Sequence, residues 1–569
     1  MTTDNGIVAF LTWSGVYDEP FSSDALAQQL TTLPRAYLLR GLSMIATVLV
    51  NSGGIRGRGQ RDLAAEILDG GAQERALRLF DTGEVGAFVH PDAILQATRL
   101  VLRHSADRGA EDGSAFGPLL LGANELLGDR PSKSIDELAG IVLHNWAFGG
   151  SEQLRYLIPR YFDLLVSRAS LYRSGSPDLA TLFSTAANGL SITEFLAFSL
   201  TVHALYGRFR SATSLGEFGY GVVLDEVAGR ALSPDRWGRY RRLVEMPLTD
   251  ALSLVASGAD APVGFGEYLA FRAKPLVRLA ERESLPIWLP WVTSKIAEDA
   301  RWLIASSLHG DGSMVARLNG FLGLLFEEYA FELLVRCYPA NGALRVLYPP
   351  ISYETERGTE ESNDATLFAG DTALFMEMTI TRPRFADLWE GNTAKYRAFV
   401  EERFVTGDTQ KLAKLSRRIT DFRKGVLAIG GVEPRTVARI WPVVVTLVPW
   451  PHHAILARAL EPIFRTLDPY GGPPALPGVV ERPVFISIEE LEMIEESLRT
   501  GLTLTGLVKD WQESSQADSS LKNYLLLGHQ GYREQPNAYL RARFLEVVAA
   551  LKEEAAALVR MDDVDAEPG

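Results

Sequence analysis

A single cysteine, Cys337, is all the thiol that 569 residues carry. One thiol can build neither a disulfide framework nor a cysteine-based zinc cluster, and such poverty suits a reducing compartment. No stretch of about 18 apolar residues occurs; the run LSMIATVLV at 42–50 is too short to span a bilayer. The first residues, MTTDNGIVAF, place no basic cluster before an apolar segment, so the expectation is a cytoplasmic protein with no membrane association. The patterns G-x-x-x-x-G-K-[ST], H-E-x-x-H and G-x-S-x-G are all missing, which argues against a P-loop NTPase, a zincin and a hydrolase nucleophile elbow. Cations are also short: 57 basic against 71 acidic residues give a net charge of −14. That excludes a general coat for nucleic acid and leaves room for a local basic cleft.

What is present divides along the chain. Over 1–310 apolar residues recur at helical spacing, as in Ile94, Ala97, Leu100 and Val101, and no alternating strand pattern of useful length appears. This half reads as an all-helical domain for targeting or assembly. From 311 a helix is expected over 314–337, then short β-rich runs at 344–348, 365–369, 372–380 and 443–448, with helices over 386–404 and 409–424 between the last two. Strands interleaved with helices imply a mixed sheet flanked by helices over 311–470. The Pro/Gly-rich stretch 468–477 precedes a mostly helical extension, 471–560, that starts with a short strand at 484–488. The acidic segment 561–569 is expected to be a disordered tail. The fold class expected is multidomain α and α/β.

The richest segment is 363–379, NDATLFAGDTALFMEMT. Gly370–Asp371 suits a two-residue hairpin loop with glycine first. That register sets Asp364 opposite Glu377 and gathers Asp364, Thr366, Phe368, Ala373, Phe375, Glu377 and Thr379 on one face. The other face is apolar apart from Thr372 and must be core. Like charges facing each other on a hairpin repel, so the pair must raise a pKa, find a cation or point into water. A divalent ion would satisfy both, and hard oxygen ligands select Mg²⁺ or Mn²⁺. Two solvated charges at the open end of the hairpin are the other reading of the same residues.

Two flanking segments add to this. Upstream, Gly323–Leu324–Leu325–Phe326–Glu327 lies on an amphipathic helix; downstream, Lys411, Lys414, Arg417 and Arg418 lie on a basic one. Helix with Glu, strand, hairpin with Asp then Glu, helix, strand: this order resembles the PD-(D/E)xK nuclease superfamily over roughly 315–450. The resemblance implies a restriction-endonuclease-like α/β/α core in which Glu327, Asp364 and Glu377 hold Mg²⁺ (or Mn²⁺). It also implies a lysine two residues after Glu377, where this chain has Thr379. A hydroxyl can orient water but brings no charge to a phosphoryl transition state. A substitute cation would come from a neighbouring helix; Lys395, Lys411 and Lys414 are candidates, Lys414 preferred, and Arg382 is a weaker one. Asn363 stands where the family usually has proline.

Charge agrees with a polyanion partner. Between Arg382 and Lys424 eleven basic residues face six acidic ones, a local excess of five in an acidic chain. Lys395, Lys411, Lys414, Arg417 and Arg418 are the expected nucleic-acid contacts. The expected activity is metal-dependent endonuclease cleavage of nucleic acid, DNA favoured, in restriction or antiphage defence. A catalytically degenerate nuclease fold acting as a scaffold is the alternative, with Thr379 as its main support. Homo-oligomer or partner-protein contacts are assigned to the helical half.

Overall fold

The computed structural model describes residues 10–51, 58–127, 134–148, 154–172, 176–206, 234–256, 263–281, 283–296, 298–308, 310–339, 346–407, 410–467, 478–529, 532 and 535–565. They group into two units: 1–131 with 180–307 and 548–569, and 132–179 with 308–547. The first unit is built around the helix Pro91–His104, whose residues from Pro91 to Leu102 are all buried. The helices Ser23–Leu30, Arg35–Asn51, Phe116–Leu127 and Leu248–Ala256 pack about it, as a helix covered on every side requires. Two of its buried polar groups are partnered: Gln96 Oε1 accepts the Val263 N–H at 3.0 Å, and Arg99 pairs with Glu267 at 3.0 Å.

The wholly helical reading of 1–310 is corrected here. Strands β1 (Glu245–Pro247), β2 (Leu276–Ala280) and β3 (Glu283–Pro286) form a small sheet, with β1 parallel and β3 antiparallel to β2. Strands of three to five residues are too short to show alternation above background.

The segment 132–179 groups with the second unit, not with the rest of the first half. Thr393 Oγ1 donates to the Asp136 carbonyl at 2.8 Å, and His144 Nδ1 lies 2.5 Å from the Trp389 carbonyl. Gly140 and Gly391 meet backbone to backbone: a β-carbon on Gly391 would stand 2.5 Å from the Gly140 oxygen. Gly391 also takes φ +59°, which glycine adopts at little cost. These partners are separated by 245 and 257 residues, so sequence order hides them.

The principal sheet of the second unit contains β4 (Leu347–Tyr348), β7 (Ala365–Ala369), β8 (Thr372–Thr379), β9 (Arg439–Thr446), β10 (Val479–Val480) and β11 (Val484–Ser487); β5 (Ser352–Thr355) and β6 (Gly358–Glu361) make a separate hairpin. The order is β10-β9-β8-β7-β4, and β11 also pairs with β9. Strands β8 and β9 run parallel while β7 and β8 are antiparallel, so the sheet is mixed. The hairpin keeps the expected register, Ala369 opposite Thr372 and Ala365 opposite Met376. Gly370 takes φ +60° at the turn, as a glycine-first loop demands. Pro442 cannot donate to a ladder; it falls in the interval between β10, which pairs as far as Ile440, and β11, which begins at Val443.

Every residue of β8 is buried. The helices Gly312–Cys337 and Lys411–Arg423 pack against it, and Phe368 and Phe375 meet Phe422 at ring distances of 5.6 and 5.4 Å. The face carrying Glu377 is therefore covered too, which overturns the picture of charges solvated at an open hairpin end. Below the long helix, Arg160 and Glu492 form a fully buried pair, 2.9 Å apart at Nε and Oε1, and Tyr329 donates to Glu492 at 2.7 Å. The helix Ala538–Asp565 carries through 561–565, correcting the expected irregular tail there; 566–569 and the Pro/Gly-rich 468–477 lie outside the described residues.

Candidate functional site

Asn363 sets the entry to the hairpin. Its buried side-chain amide donates to the Ala365 carbonyl and, at 2.9 Å, to Thr366 Oγ1. That local clasp orients Asp364, whose Oδ2 accepts the Met378 N–H at 2.7 Å. The carboxylate thus closes the hairpin just beyond its last paired residues and comes to the same end as Glu377.

Lys411 and Lys414 meet this end from the first turn of the helix Lys411–Arg423. Lys411 Nζ lies 2.9 Å from Glu377 Oε2, 3.2 Å from Asp364 Oδ2 and 3.3 Å from Glu327 Oε1. Lys414 Nζ is 2.8 Å from Glu377 Oε1 and 3.7 Å from Asp364 Oδ1. Spacing of three puts both lysines on one helix face. A long helix, a strand entry, a strand and a second helix therefore converge on one point.

The Glu377 side chain is 0 % exposed, while the Glu327 side chain keeps 37 % of its surface in water. Burial pushes both carboxyls above their ordinary value; Asp364 adds to this, and the lysines oppose it. Burial pulls the Lys411 ammonium down, but Glu377, Asp364 and Glu327 together more than reverse that and hold it well above its usual value. The two kinds of shift have different causes: burial penalises the charged form of the acids, whereas the three carboxylates stabilise the charged form of Lys411. Each oxygen of Glu377 has one ammonium beside it, Lys414 at Oε1 and Lys411 at Oε2. Their lone pairs retain capacity for a further ligand.

The ligand chemistry suits a hard divalent ion, since all three groups are carboxylates from different elements. As the side chains stand, no three His, Cys, Asp or Glu groups among the described residues are close enough to share an ion. The Lys411 ammonium occupies the middle of the three.

Other candidates lie elsewhere. Thr379 is buried, and its Oγ1 accepts the Thr381 N–H at 3.0 Å, finishing β8. Lys395 pairs with Glu390 at 2.7 Å on the surface, with no ion pair to the three carboxylates among the described residues. Arg418 is corrected as a nucleic-acid contact: it is buried, donates to Tyr353 Oη at 2.9 Å and pairs with Glu360. Tyr353 in turn donates to Asp421 at 2.7 Å, so this arginine fastens β5–β6 to the basic helix. Arg417 is half-buried beside it. Arg382 lies over the Phe385 ring, and Arg423 is buried and donates to the Gly478 carbonyl at 2.9 Å. The basic excess is thus partly spent on internal contacts; Arg384 and Lys424 stay exposed. His453 caps the helix Ala454–Phe464 through its Nδ1, which accepts the Ile455 N–H.

The sequence did not single out Asn363 as a clasp, nor Lys411 as the group touching all three carboxylates. The first has an Asn-x-x-Thr signal for a side-chain turn; the second could be found only once the hairpin and helix were placed together. No family model, curated protein or solved structure matches this chain.

Proposed function

We propose that the second unit is a divalent-metal-dependent nuclease of PD-(D/E)xK type, hydrolysing phosphodiester bonds of nucleic acid, DNA favoured, in a restriction or antiphage setting. One observation carries the reading. Glu327, Asp364 and Glu377 approach a common point on a mixed sheet, and Lys414 reaches Glu377 where the strand has Thr379 in place of lysine. In this reading the three carboxylates hold Mg²⁺ or Mn²⁺, which when bound acidifies a water and offsets charge on the phosphate. Lys414 contributes a fixed positive charge beside the attacked group, the element that a threonine hydroxyl lacks. Glu377, buried with an ammonium at each oxygen, orients what binds beside it. Exposed Arg384 and Lys424 and half-buried Arg417 leave a smaller phosphate-facing set than the sequence count suggested. Among the described residues no helix is long and apolar enough to cross a membrane.

A scaffold that keeps this fold without its chemistry has one observation in its favour: the Lys411 ammonium already stands among the carboxylates where an ion would sit. The deciding experiment incubates the full chain with supercoiled plasmid, single-stranded DNA or RNA in Mg²⁺, Mn²⁺ or EDTA, beside Glu377→Ala. The nuclease reading expects cleavage with either metal and none with EDTA. It also expects a fall of about 100-fold or more in the variant, equivalent to about 2.7 kcal/mol of transition-state stabilisation. Binding without cleavage in both metals would leave the scaffold.

A further inference from the structure

We propose that Lys411 is a resident counter-ion that keeps the metal position closed, and that its ammonium must withdraw before Glu327, Asp364 and Glu377 can take up a divalent cation. The inference rests on the nuclease reading and specifies how the same site is governed. Its basis is a difference between the two lysines. Lys411 touches all three carboxylates, one oxygen of each, at 2.9 to 3.3 Å. Lys414 touches only Glu377 and Asp364, through their other oxygens. One ammonium is central and the other is lateral.

Charge and size then separate their fates. An ammonium holds carboxylate oxygens at hydrogen-bond range, near 2.8 Å, whereas Mg²⁺ demands oxygens at about 2.0–2.1 Å in strict geometry. Both cannot occupy the centre of one carboxylate trio. With both lysines in place, a dication would turn the cluster from −1 to +1, inside a region where the central glutamate is fully buried. With Lys411 withdrawn it would be neutral: three carboxylates, Lys414 and the ion. A buried site favours the neutral state strongly.

Lys411 also has a way out. It is the first residue of its helix, following the cap position Gln410, and a quarter of its side-chain surface is already exposed. Its long stem can carry the ammonium to water without moving the backbone. Lys414, one turn further into the helix, needs no such movement and stays with Glu377. The consequence is a metal threshold: the carboxylates are kept compact and their charge largely offset when divalent ions are scarce, and the site assembles only when the ion outcompetes an internal cation.

The test reads metal binding, without nucleic acid, on the full-length protein. Free Mn²⁺ is followed by electron paramagnetic resonance for wild type, Lys411→Met, Lys411→Arg and Glu377→Gln. Lys411→Met is expected to bind Mn²⁺ about tenfold tighter or more than wild type, equivalent to about 1.4 kcal/mol of relieved repulsion. Lys411→Arg, keeping the charge, should not tighten binding, and Glu377→Gln should weaken it. As a readout that needs no variant, the Lys411 amine of wild type is acetylated with an N-hydroxysuccinimide ester and quantified by mass spectrometry; its labelling should rise when Mn²⁺ is added. Wild-type binding at Glu377 with no tightening in a folded Lys411→Met, or with Lys411 labelling unchanged by bound Mn²⁺, overturns the inference and leaves the nuclease reading standing. No Mn²⁺ binding by any form, Lys411→Met included, overturns both.

Discussion

Lys414 Nζ stands 2.8 Å from Glu377 Oε1, reaching a strand carboxylate from a helix that begins more than thirty residues later in the chain. In the strand itself the nearby position belongs to Thr379, whose hydroxyl is taken up by the Thr381 N–H. A cation can thus sit beside Glu377 without being encoded next to it. Helix-borne lysine differs from strand-borne lysine in one physical respect: its placement depends on helix-on-sheet packing, here Phe422 against Phe368 and Phe375. The same helix makes both the aromatic contact and the ion pair, so a change that shifts the helix on the sheet is expected to move Lys414 as well.

On the nuclease reading proposed above, the acid side of the activity profile should lie higher than ordinary carboxylates would place it. Burial raises Glu327 and Glu377 above 4.5. An acid whose folded pKa is raised contributes stability below its unfolded value, and that contribution is lost as pH rises through the folded value. Metal binding needs the ionised forms. Cleavage should therefore increase with pH through a window that starts above pH 4.5, while the stability owed to these two groups declines through the same window. Lys411, held above 10.5, contributes stability below that value and loses it only on the alkaline side. A pH–rate profile measured beside the melting temperature at each pH checks this; cleavage already at its plateau at pH 4.5 would contradict it.

The buried pair of Arg160 and Glu492 should behave asymmetrically under mutation. Both side chains are 0 % exposed, and Tyr329 OH adds a third member from the helix that carries Glu327. Removing one charge leaves the other stranded in a dry interior, which costs about 3–5 kcal/mol, whereas replacing both by apolar groups of similar size is often neutral. Arg160→Met alone should lower the urea midpoint sharply. Arg160→Met with Glu492→Leu should recover much of the loss, and the two single changes should be strongly non-additive. Equal destabilisation by single and double variants would contradict a stranded charge as the cause.

Sequence carried the local geometry and lost the distant one. The hairpin register followed from Gly370–Asp371 and a period of two, because both are set by residues in immediate succession. The helix–sheet alternation after 311 was legible for the same reason. What stayed hidden were relations between elements far apart in the chain: the backbone contact of Gly140 with Gly391, the pairing of Arg160 with Glu492, and the inward turn of Arg418. Each residue type reads as surface or linker when met alone, since arginine and glutamate are rarely fully buried unless paired. The helix Ile488–Arg499 is the clearest instance. Its Glu489, Glu490, Glu492 and Glu495 are all buried, held by Lys522, the Ser487 cap, Arg160 and Arg336. Nothing in the run of acidic residues itself announces that.

Arg418 offers a way to separate architecture from phosphate contact. It lies on the same helix as Lys411 and Lys414, yet its guanidinium is directed to Tyr353 and Glu360 and is 7 % exposed. Arg418→Ala should therefore destabilise the second unit by about 1–3 kcal/mol, the scale of a lost charged hydrogen-bond partner. At temperatures where the variant is folded, its affinity for nucleic acid should change little. The dependence of that affinity on salt should keep its slope, because no phosphate contact is removed. Fluorescence anisotropy across a salt series, with a thermal melt on the same sample, measures both. A shallower slope in folded Arg418→Ala would mean that the side chain turns outward to the backbone of the nucleic acid, and the clasp on β5–β6 would then be an alternative state of this arginine.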